Sequence, residues 1–278
     1  MRLSLLGSGS SGNVAYFEAG PVGARTRVLV DAGLPKKEVE TRLARLPQPI
    51  ALEQIDALLI THDHNDHAGC ARTYGRPMWA TAGTRRACEL EAGLVRAGDR
   101  FTVGAFEVLP VLLPHDAIET VGYVLSDGVS RVGILTDCGH DAPDVAAAYA
   151  GCDVLVLEAN HDATLLKFGS YPPSLKRRVG GRLGHLSNDQ SASLLKMMIK
   201  LGPPPRLVVA AHLSQANNRP QLAKSALDRV LGRAGRVIVA TQNTGSPLIS
   251  VEKGRVVCEP ARNEQLSFEF AQALKELR

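Results

Sequence analysis

The chain has 278 residues, of which 45% are hydrophobic and 22% are charged, so it can fold around a substantial core. Its net charge of +4 permits an anionic substrate, and its five scattered cysteines, with no Cys-x-x-Cys pair, argue against a disulfide framework and a cysteine-type zinc site. No apolar stretch reaches the length of a signal-peptide core or a membrane span, so we expect a cytoplasmic protein without membrane contacts.

Short runs rich in leucine and β-branched residues alternate with longer helical patterns along the whole chain. Strands are predicted at residues 3–6, 14–18, 27–31, 57–61, 106–112, 122–126, 132–136, 154–158, 207–211, 237–240 and 248–251. Helices are predicted at residues 36–46, 84–92, 143–150, 188–200 and 221–231. This alternation is typical of an α/β fold with sheets covered by helices, and the hairpin-like cluster at 106–136 indicates mixed strand pairing.

The patterning indicates one domain that spans residues 1–278. Three prolines at 203–205 break the chain between a helix and a strand, but regular patterning resumes at once, which is not typical of an interdomain linker. The last residues of the chain (about twelve) have an amphipathic pattern, and we expect this tail to pack on the surface. The sequence leaves a homo-oligomer open.

Residues that can bind metals follow or close four of the predicted strands. His62 follows the strand at 57–61, Asp137 follows the strand at 132–136, and His212 follows the strand at 207–211. Glu158 closes a fourth strand. In α/β sheets, functional sites lie beyond the carboxyl ends of strands, where loops converge, so these positions predict a site.

The run His62-Asp63-His64-Asn65-Asp66-His67 is the strongest local signal in the chain. Residues two apart on an extended segment lie on one side, so His62 and His64 can bind one ion together. A turn at Asn65 would direct Asp66 and His67 toward a neighbouring point. A solvated polar loop is the alternative interpretation, but the density of ligand-type residues after an apolar strand argues against it.

Two metal ions would need further ligands from distant parts of the chain. The candidates are His115, Asp137 and His212. Imidazole and carboxylate ligands suit zinc, manganese or iron in a site that keeps a position open for water. The sequence therefore predicts two divalent metal ions, Zn²⁺ or Mn²⁺ or Fe, as cofactors.

The segment from Ile60 to His67 resembles the signature of the metallo-β-lactamase superfamily, whose fold is an αββα sandwich of two mixed sheets flanked by helices. The resemblance implies that His62, His64 and His115 hold one metal, that Asp66, His67 and His212 hold the other, and that Asp137 bridges them. It also implies that Asp31, in Leu-Val-Asp-Ala-Gly, orients the ligand loop. A turn carboxylate is the alternative interpretation of Asp31.

A basic cluster precedes a candidate proton donor in the second half of the chain. Four positive charges, Lys176, Arg177, Arg178 and Arg182, lie within seven residues, shortly before His185. Such a cluster can neutralise phosphates near a metal centre, although an ordinary solvated helix face has the same composition. His185 precedes a helical pattern capped by Ser187 or Asn188, where it could protonate a leaving alkoxide or simply form a hydrogen bond at the helix start.

The order Glu-Ala-Asn, Gly-His-Leu-Ser and then a strand ending in His-Leu-Ser resembles the phosphodiesterase branch that contains tRNA 3′-processing nucleases. In that branch the histidine corresponding to His185 helps to protonate the leaving group. The loop at 7–13, the Glu-Ala-Asn-His-Asp run and the Asn-Asn-x-Pro segment are more similar to the YycJ/WalJ-type nuclease group. That resemblance implies 5′→3′ exonuclease action on DNA, linked to repair. It is favoured over tRNA processing because no inserted flexible arm is evident.

The mechanism that we hypothesise is hydrolysis of a phosphodiester by a hydroxide held between two metals. The residues assigned to catalysis are His185, Asp66 and Glu158. The residues assigned to substrate binding are Lys176, Arg177, Arg178, Arg219, Ser10 and Asn13. Replacing Asp137 with alanine is expected to abolish hydrolysis and to loosen both metals. The roles of His140, His161 and Cys138 stay open.

Two other functions compete with the nuclease hypothesis. A small-molecule hydrolase of a thioester, lactone or cyclic phosphodiester would be indifferent to charge reversal at Arg177 and Arg178. A non-enzymatic protein that senses nucleic acid or a signalling partner is disfavoured because the ligand set is complete. The glycine-rich loop at 7–13 is not a P-loop, since no lysine follows its glycines; we expect a hairpin turn there.

Overall fold

Two β-sheets packed face to face form the framework of the protein in a computed structural model, which describes residues 1–252 and 254–261. In chain order the strands are β1 (Arg2–Gly7), β2 (Val14–Ala19), β3 (Thr26–Val30), β4 (Ala57–Leu59), β5 (Met78–Thr81), β6 (Gly93–Val95), β7 (Phe101–Val103), β8 (Phe106–Leu112), β9 (Val121–Ser126), β10 (Arg131–Leu135), β11 (Val154–Glu158), β12 (Leu207–Ala211), β13 (Arg236–Val239), β14 (Leu248–Glu252) and β15 (Arg255–Glu259). Across the described residues one sheet has the order β15-β14-β1-β2-β3-β4-β5-β6, and the other has the order β13-β12-β11-β10-β9-β8-β7. Both sheets mix parallel and antiparallel pairs, as the cluster at 106–136 predicted.

Helices cover the outer face of each sheet. In chain order they are α1 (Lys36–Ala44), α2 (Asn65–Ala68), α3 (Ala82–Ala87), α4 (Pro143–Tyr149), α5 (Ala163–Phe168), α6 (Pro173–Val179), α7 (Asn188–Leu201) and α8 (Pro220–Leu231). Phe17 and Phe106 belong to the core between the sheets, Leu43 of α1 packs in the core outside the first sheet, and Leu194 of α7 packs outside the second. The fold is therefore a four-layer αββα sandwich, stabilised by three apolar cores: one between the sheets and one between each sheet and its helices. This confirms the predicted fold class.

The predicted strands all form within two residues of their predicted bounds, and four of the five predicted helices do so as well. The helix predicted at 84–92 is wrong: α3 ends at Ala87, and β6 begins at Gly93. Glu89 has a φ of 52°, which right-handed helical backbone cannot continue through. The remaining strands β5, β6, β7 and β15 and the short helices α2, α5 and α6 were not predicted.

Three further expectations concern the connections and the end of the chain. The prolines at 203–205 separate α7 from β12, as predicted. The amphipathic tail lies outside the described residues. Across residues 1–252 and 254–261, no helix is long and apolar enough to cross a membrane.

Candidate metal centre

Several strands of the two sheets end in residues that face one another across the site. Asp31 follows β3, Asp137 lies two residues after β10, and His212 follows β12. These three residues have left-handed backbone, with φ values of 66°, 61° and 55°. This conformation is rare outside glycine, and strained residues of this kind concentrate at functional sites. The backbone thus turns sharply at the points where the candidate ligands emerge.

His62, His64 and His115 form the first ligand cluster, in which one ring nitrogen of each lies within 4.8 Å of the others. His62 and His64 come from the extended segment after β4, and their ring centroids are 4.7 Å apart. His115 comes from the loop after β8, and its Nε2 lies 3.2 Å from Nδ1 of His64. Three imidazoles that converge on one point can bind a divalent metal and leave a coordination position open.

Asp66, His67 and His212 form the second cluster. The Oδ2 atom of Asp66 lies 3.5 Å from Nε2 of His67 and 3.5 Å from Nε2 of His212. Asp137 lies between the clusters, with Oδ2 2.9 Å from Nε2 of His67 and Oδ1 3.7 Å from Nε2 of His115. The structure therefore brings together all seven residues that the sequence marked as ligands, and Asp137 has the position expected of a bridging carboxylate.

A protein group fixes one ring nitrogen in each of four histidines, which leaves the other nitrogen for a metal. The fixed Nδ1 atoms and their partners are His67 with Asp31 Oδ2 at 2.7 Å, His212 with Glu158 Oε1 at 3.1 Å, His62 with Thr61 Oγ1 at 3.0 Å, and His115 with the Gly184 carbonyl at 2.8 Å. Partners of this kind set the tautomer and orientation of metal-binding histidines.

Buried polar atoms without partners mark the same place. Within the described part of the chain, Nε2 of His62, Nε2 of His212 and Oδ2 of Asp137 are buried and form no hydrogen bond. The 2.9 Å approach of His67 to Asp137 is an ion-pair contact without hydrogen-bond angles. A buried polar atom left unpaired costs about 1–3 kcal/mol. Cations bound between these atoms would satisfy them, so the donor set fits two divalent metal ions.

The charges of the cluster also favour cations. Burial alone would raise the pKa of Asp137, but His212 and His67 hold that pKa well below its usual range. Burial alone would lower the pKa of His212, but Asp137 and nearby carboxylates raise it to about 9. Protons on histidines therefore balance the buried carboxylates, and a metal ion that displaces a proton supplies the same charge. Burial lowers the pKa of His62 well below its usual range, which favours the neutral form that binds metals.

Glu158 connects the cluster to His185. Its Oε1 atom lies 2.9 Å from Nδ1 of His185 and 3.1 Å from Nδ1 of His212, and its Oε2 atom accepts the backbone N–H groups of Cys138 and Leu186. Burial alone would raise the pKa of the Glu158 carboxyl, but the neighbouring His185 lowers that pKa to about 2. Glu158 is fully buried, and both of its oxygens have partners within the protein.

The whole arrangement matches a known family. A family model described as the beta-lactamase superfamily domain matches residues 26–213, a span that contains both ligand clusters and Asp137. The chain belongs to the metallo-β-lactamase superfamily.

Within the metallo-β-lactamase superfamily, the chain is similar to curated proteins over nearly its whole length. It is 31% identical over 271 residues to exodeoxyribonuclease WalJ of Streptococcus pneumoniae, covering 90% of this chain and 98% of that protein. It is 32% identical over 247 residues to exodeoxyribonuclease YycJ of Bacillus anthracis, covering 84% and 90%. The chain is therefore a member of the YycJ/WalJ-type group, as the sequence motifs indicated.

Solved structures of other superfamily members share the fold. YhfI from Bacillus subtilis superposes with a TM-score of 0.66 at 16% identity, covering 87% of this chain and 96% of that chain. The short form of human tRNase Z superposes with a TM-score of 0.58 at 18% identity, covering 91% and 100%. At such low identity these likenesses support the metallo-β-lactamase fold alone.

Three of the predicted basic residues, Lys176, Arg177 and Arg178, lie on α6, beside the metal centre. Arg178 pairs with Asp116 at 2.5 Å, and Oδ1 of Asp116 lies 3.4 Å from Nε2 of His115. Arg177 is exposed, and Lys176 donates from Nζ to the carbonyl of Lys167. Arg219 is exposed immediately before α8, where it donates to the Asn218 carbonyl. Arg178 therefore lies at the edge of the metal centre, and the exposed side chain of Arg177 is accessible to a substrate.

The loop between β1 and β2 is the hairpin turn that the sequence predicted. Ser10 is exposed, whereas Asn13 is buried and its amide nitrogen lies 3.0 Å from Nε2 of His67. Asn13 therefore lies against the ligands rather than on the open surface. Gly33 makes this approach possible, since a Cβ atom there would lie 1.8 Å from the carbonyl oxygen of Asp66.

The three residues whose roles the sequence left open belong to neither of the two ligand clusters. Burial raises the pKa of the Cys138 thiol to about 12, and its Sγ donates to the His140 carbonyl. Nδ1 of His140 lies 2.9 Å from the Arg182 carbonyl. Burial lowers the pKa of His161 to about 4, and its backbone carbonyl accepts the N–H of Asn188 at the start of α7.

Sequence reasoning missed several residues that hold the ligands in place. Thr61 donates to Oδ1 of Asp31, and the Ser8 hydroxyl accepts the backbone N–H of His212. The Asn160 amide donates to the His212 carbonyl. The role of Thr61 could have been predicted, because this residue directly precedes the histidine run. The role of Ser8 could not, because Ser8 lies 204 positions from His212 in the sequence.

Replacing Asp31 with asparagine is expected to weaken the binding of one metal by about 10–100-fold. Oδ1 of Asp31 accepts two bonds from Thr61, so the new amide group would face Nδ1 of His67 and favour the tautomer whose Nε2 cannot bind a metal. Asparagine tolerates the left-handed backbone at this position. Metal titration followed by elemental analysis measures the effect, with Asp228→Asn as the exposed control. Unchanged affinity for both metals would assign Asp31 to the turn alone.

Proposed function

We propose that the protein is a dinuclear metal-dependent phosphodiesterase that removes nucleotides from the 5′ ends of DNA, in DNA repair. The observation that carries the proposal is the position of His185, whose ring centroid is 5.1 Å from that of His115 and 5.2 Å from that of His212. A proton donor beside both ligand clusters suits phosphodiester hydrolysis, whose leaving oxygen needs a proton. The exodeoxyribonuclease names of the relatives in S. pneumoniae and B. anthracis support DNA as the substrate.

The proposed ligands divide between the two clusters. His62, His64 and His115 would hold one ion, Asp66, His67 and His212 the other, and Asp137 would bridge them. Zinc, manganese or iron bound there would lower the pKa of a water molecule and stabilise the charge of the phosphoryl oxygens.

His185 acts as the general acid in this proposal. Its Nδ1 atom faces Glu158, so Nε2 is the nitrogen that is available to the substrate. When the bond between phosphorus and the 3′ oxygen breaks, Nε2 gives its proton to that oxygen. Glu158 keeps the ring in place, and its charge raises the pKa of His185 to about 10 against the opposing effect of burial. The carboxylate of Glu158 thereby favours the protonated ring that a general acid needs.

Cations beside the centre would bind the DNA backbone. Arg177 is exposed on α6, and the described residues offer it no ion-pair partner, so it is free to contact a phosphate. Arg178, Lys176 and Arg219 would hold the flanking phosphates. Contacts of this type position a nucleic acid without reading its bases, so we expect little sequence specificity.

The experiment that tests the proposal uses metal-defined protein and end-labelled double-stranded DNA, single-stranded DNA and RNA. Manganese and zinc are supplied separately, and the Asp137→Asn variant serves as the control. We expect progressive loss of nucleotides from 5′ DNA ends with wild-type protein and none with the variant. Absence of cleavage of every polymer would contradict the proposal and direct attention to a small phosphodiester or ester. Selective cleavage of a tRNA precursor would favour 3′ processing.

Reversing the charge of Arg177 to glutamate is expected to raise KM for DNA by about 10-fold and to reduce the salt slope of binding by about 1, because one phosphate contact is lost. The value of kcat should change little, since Arg177 lies outside the ligand clusters. Arg229→Glu is the matched control, because Arg229 is exposed in the last turn of α8, far along the helix from Arg219. If Arg177→Glu and Arg229→Glu have the same KM and salt dependence, α6 is not part of the DNA-binding surface.

A further inference from the structure

A groove of about 630 Å³ opens beside the metal centre. It is lined by the end of β8, by the loop that follows it, by one side of α4 and by Leu183. His115 belongs both to this lining and to the first ligand cluster. A molecule held at the metals would therefore have the groove directly beside it, and its volume is in the range typical of ligand sites.

The walls of the groove are unusually apolar for an open surface. Leu112, Ile118 and Leu183 line it and are 59%, 63% and 53% exposed. Exposed apolar side chains that gather in one place mark a binding surface, whereas single ones are common and need no explanation. Here three of them lie next to a candidate catalytic centre.

Polar and charged groups accompany these walls. Glu119 and Asp144 line the groove, and a carboxylate can accept a hydrogen bond from the amino group of a base. Arg182 is exposed next to Leu183, and Arg178 is held by Asp116, the residue after His115. Apolar walls with a polar group suit a heterocyclic ring, whose faces are apolar while its edge forms hydrogen bonds. The arginines suit the phosphates that accompany such a ring.

We propose that this groove binds the unstacked base of a nucleotide adjacent to the scissile phosphodiester. The inference rests on the proposed function. It adds that the enzyme binds an unpaired base at the DNA end. Leucine and isoleucine side chains are used elsewhere to separate stacked bases, and base-modifying enzymes hold a displaced base between apolar side chains. Because His115 lines the groove and also belongs to the first ligand cluster, we expect the groove to hold part of the substrate rather than a second copy of the chain.

The test compares intact DNA with DNA that lacks one base, at the terminal or the penultimate position of the 5′ end. Wild-type protein should hydrolyse at least one abasic substrate roughly 10-fold more slowly than intact DNA, because the groove contact is lost. The double variant Ile118→Ser, Leu183→Ser should digest intact and abasic DNA at similar, reduced rates. Val22→Ser is the matched control, since Val22 is 87% exposed and does not line the groove.

The outcomes separate this inference from the proposed function. If the wild-type enzyme digests intact and both abasic substrates equally fast, the base-binding groove is wrong while the exonuclease proposal stands. If the double variant changes the sedimentation coefficient and leaves the dependence on the base intact, the groove is an interface between copies and the inference is wrong. Absence of hydrolysis of any DNA would overturn the proposed function itself. Thermal melting of the variants checks that they are folded.

Discussion

Replacing Asp137 with asparagine is expected to reduce DNA hydrolysis by roughly 10⁴-fold or more, since residues that act as a unit fail together. Asp137 contacts His67, His115, His185 and His212, so one substitution removes a charge that both ligand clusters share. Asparagine keeps the side-chain shape and is tolerated at a φ of 61°, so the loss should not come from misfolding. Both metals should bind more weakly than in the wild-type protein.

Elemental analysis after dialysis, together with steady-state hydrolysis, measures both effects of the Asp137 substitution. Asp228→Asn is the control, because Asp228 pairs with Lys224 on the exposed side of α8 and lies outside the ligand clusters. A variant that retains two metals per chain and wild-type hydrolysis would refute the bridging assignment. A variant that loses only one metal would assign Asp137 to a single cluster.

Replacing His185 with glutamine is expected to lower kcat by about 10²–10⁴-fold, the usual contribution of a general acid. The metals should stay bound, since His62, His64 and His115 in one cluster and Asp66, His67 and His212 in the other remain. The loss should nearly vanish with a 4-nitrophenyl phosphodiester, because its leaving phenolate needs no proton. A structural role would instead reduce the hydrolysis of both substrates equally.

The His185 experiment needs one further readout, because His185 also lies within ligand distance of Asp137, Glu158 and His212. Metal content measured for the same preparation distinguishes the two roles. Loss of a metal in His185→Gln would make this residue a ligand and would leave the leaving group without an assigned proton donor. Full metal content with a large loss on DNA alone is the result that we expect.

The fold class and the list of candidate ligands could be predicted from the amino-acid sequence. Long strands such as β8 and long helices such as α7 carry enough periodicity to predict, and the run from His62 to His67 places its ligands by local spacing alone. The order of the later ligands came from resemblance to the family. Prediction failed at residues 84–92, where Glu89 leaves helical backbone, and at the strands β5, β6, β7 and β15.

The contacts that hold those ligands in place depend on the packing of distant segments of the chain. Nδ1 of His67 pairs with Asp31 from 36 positions away, His212 pairs with Glu158 from 54, and His115 pairs with the Gly184 carbonyl from 69. The apolar groove likewise combines Leu112, Ile118 and Leu183 from separate loops and strands. Periodicity reports only the environment along one element, whereas such pairings depend on how sheets and helices pack. Local sequence therefore carries no signal for them, although they orient the site.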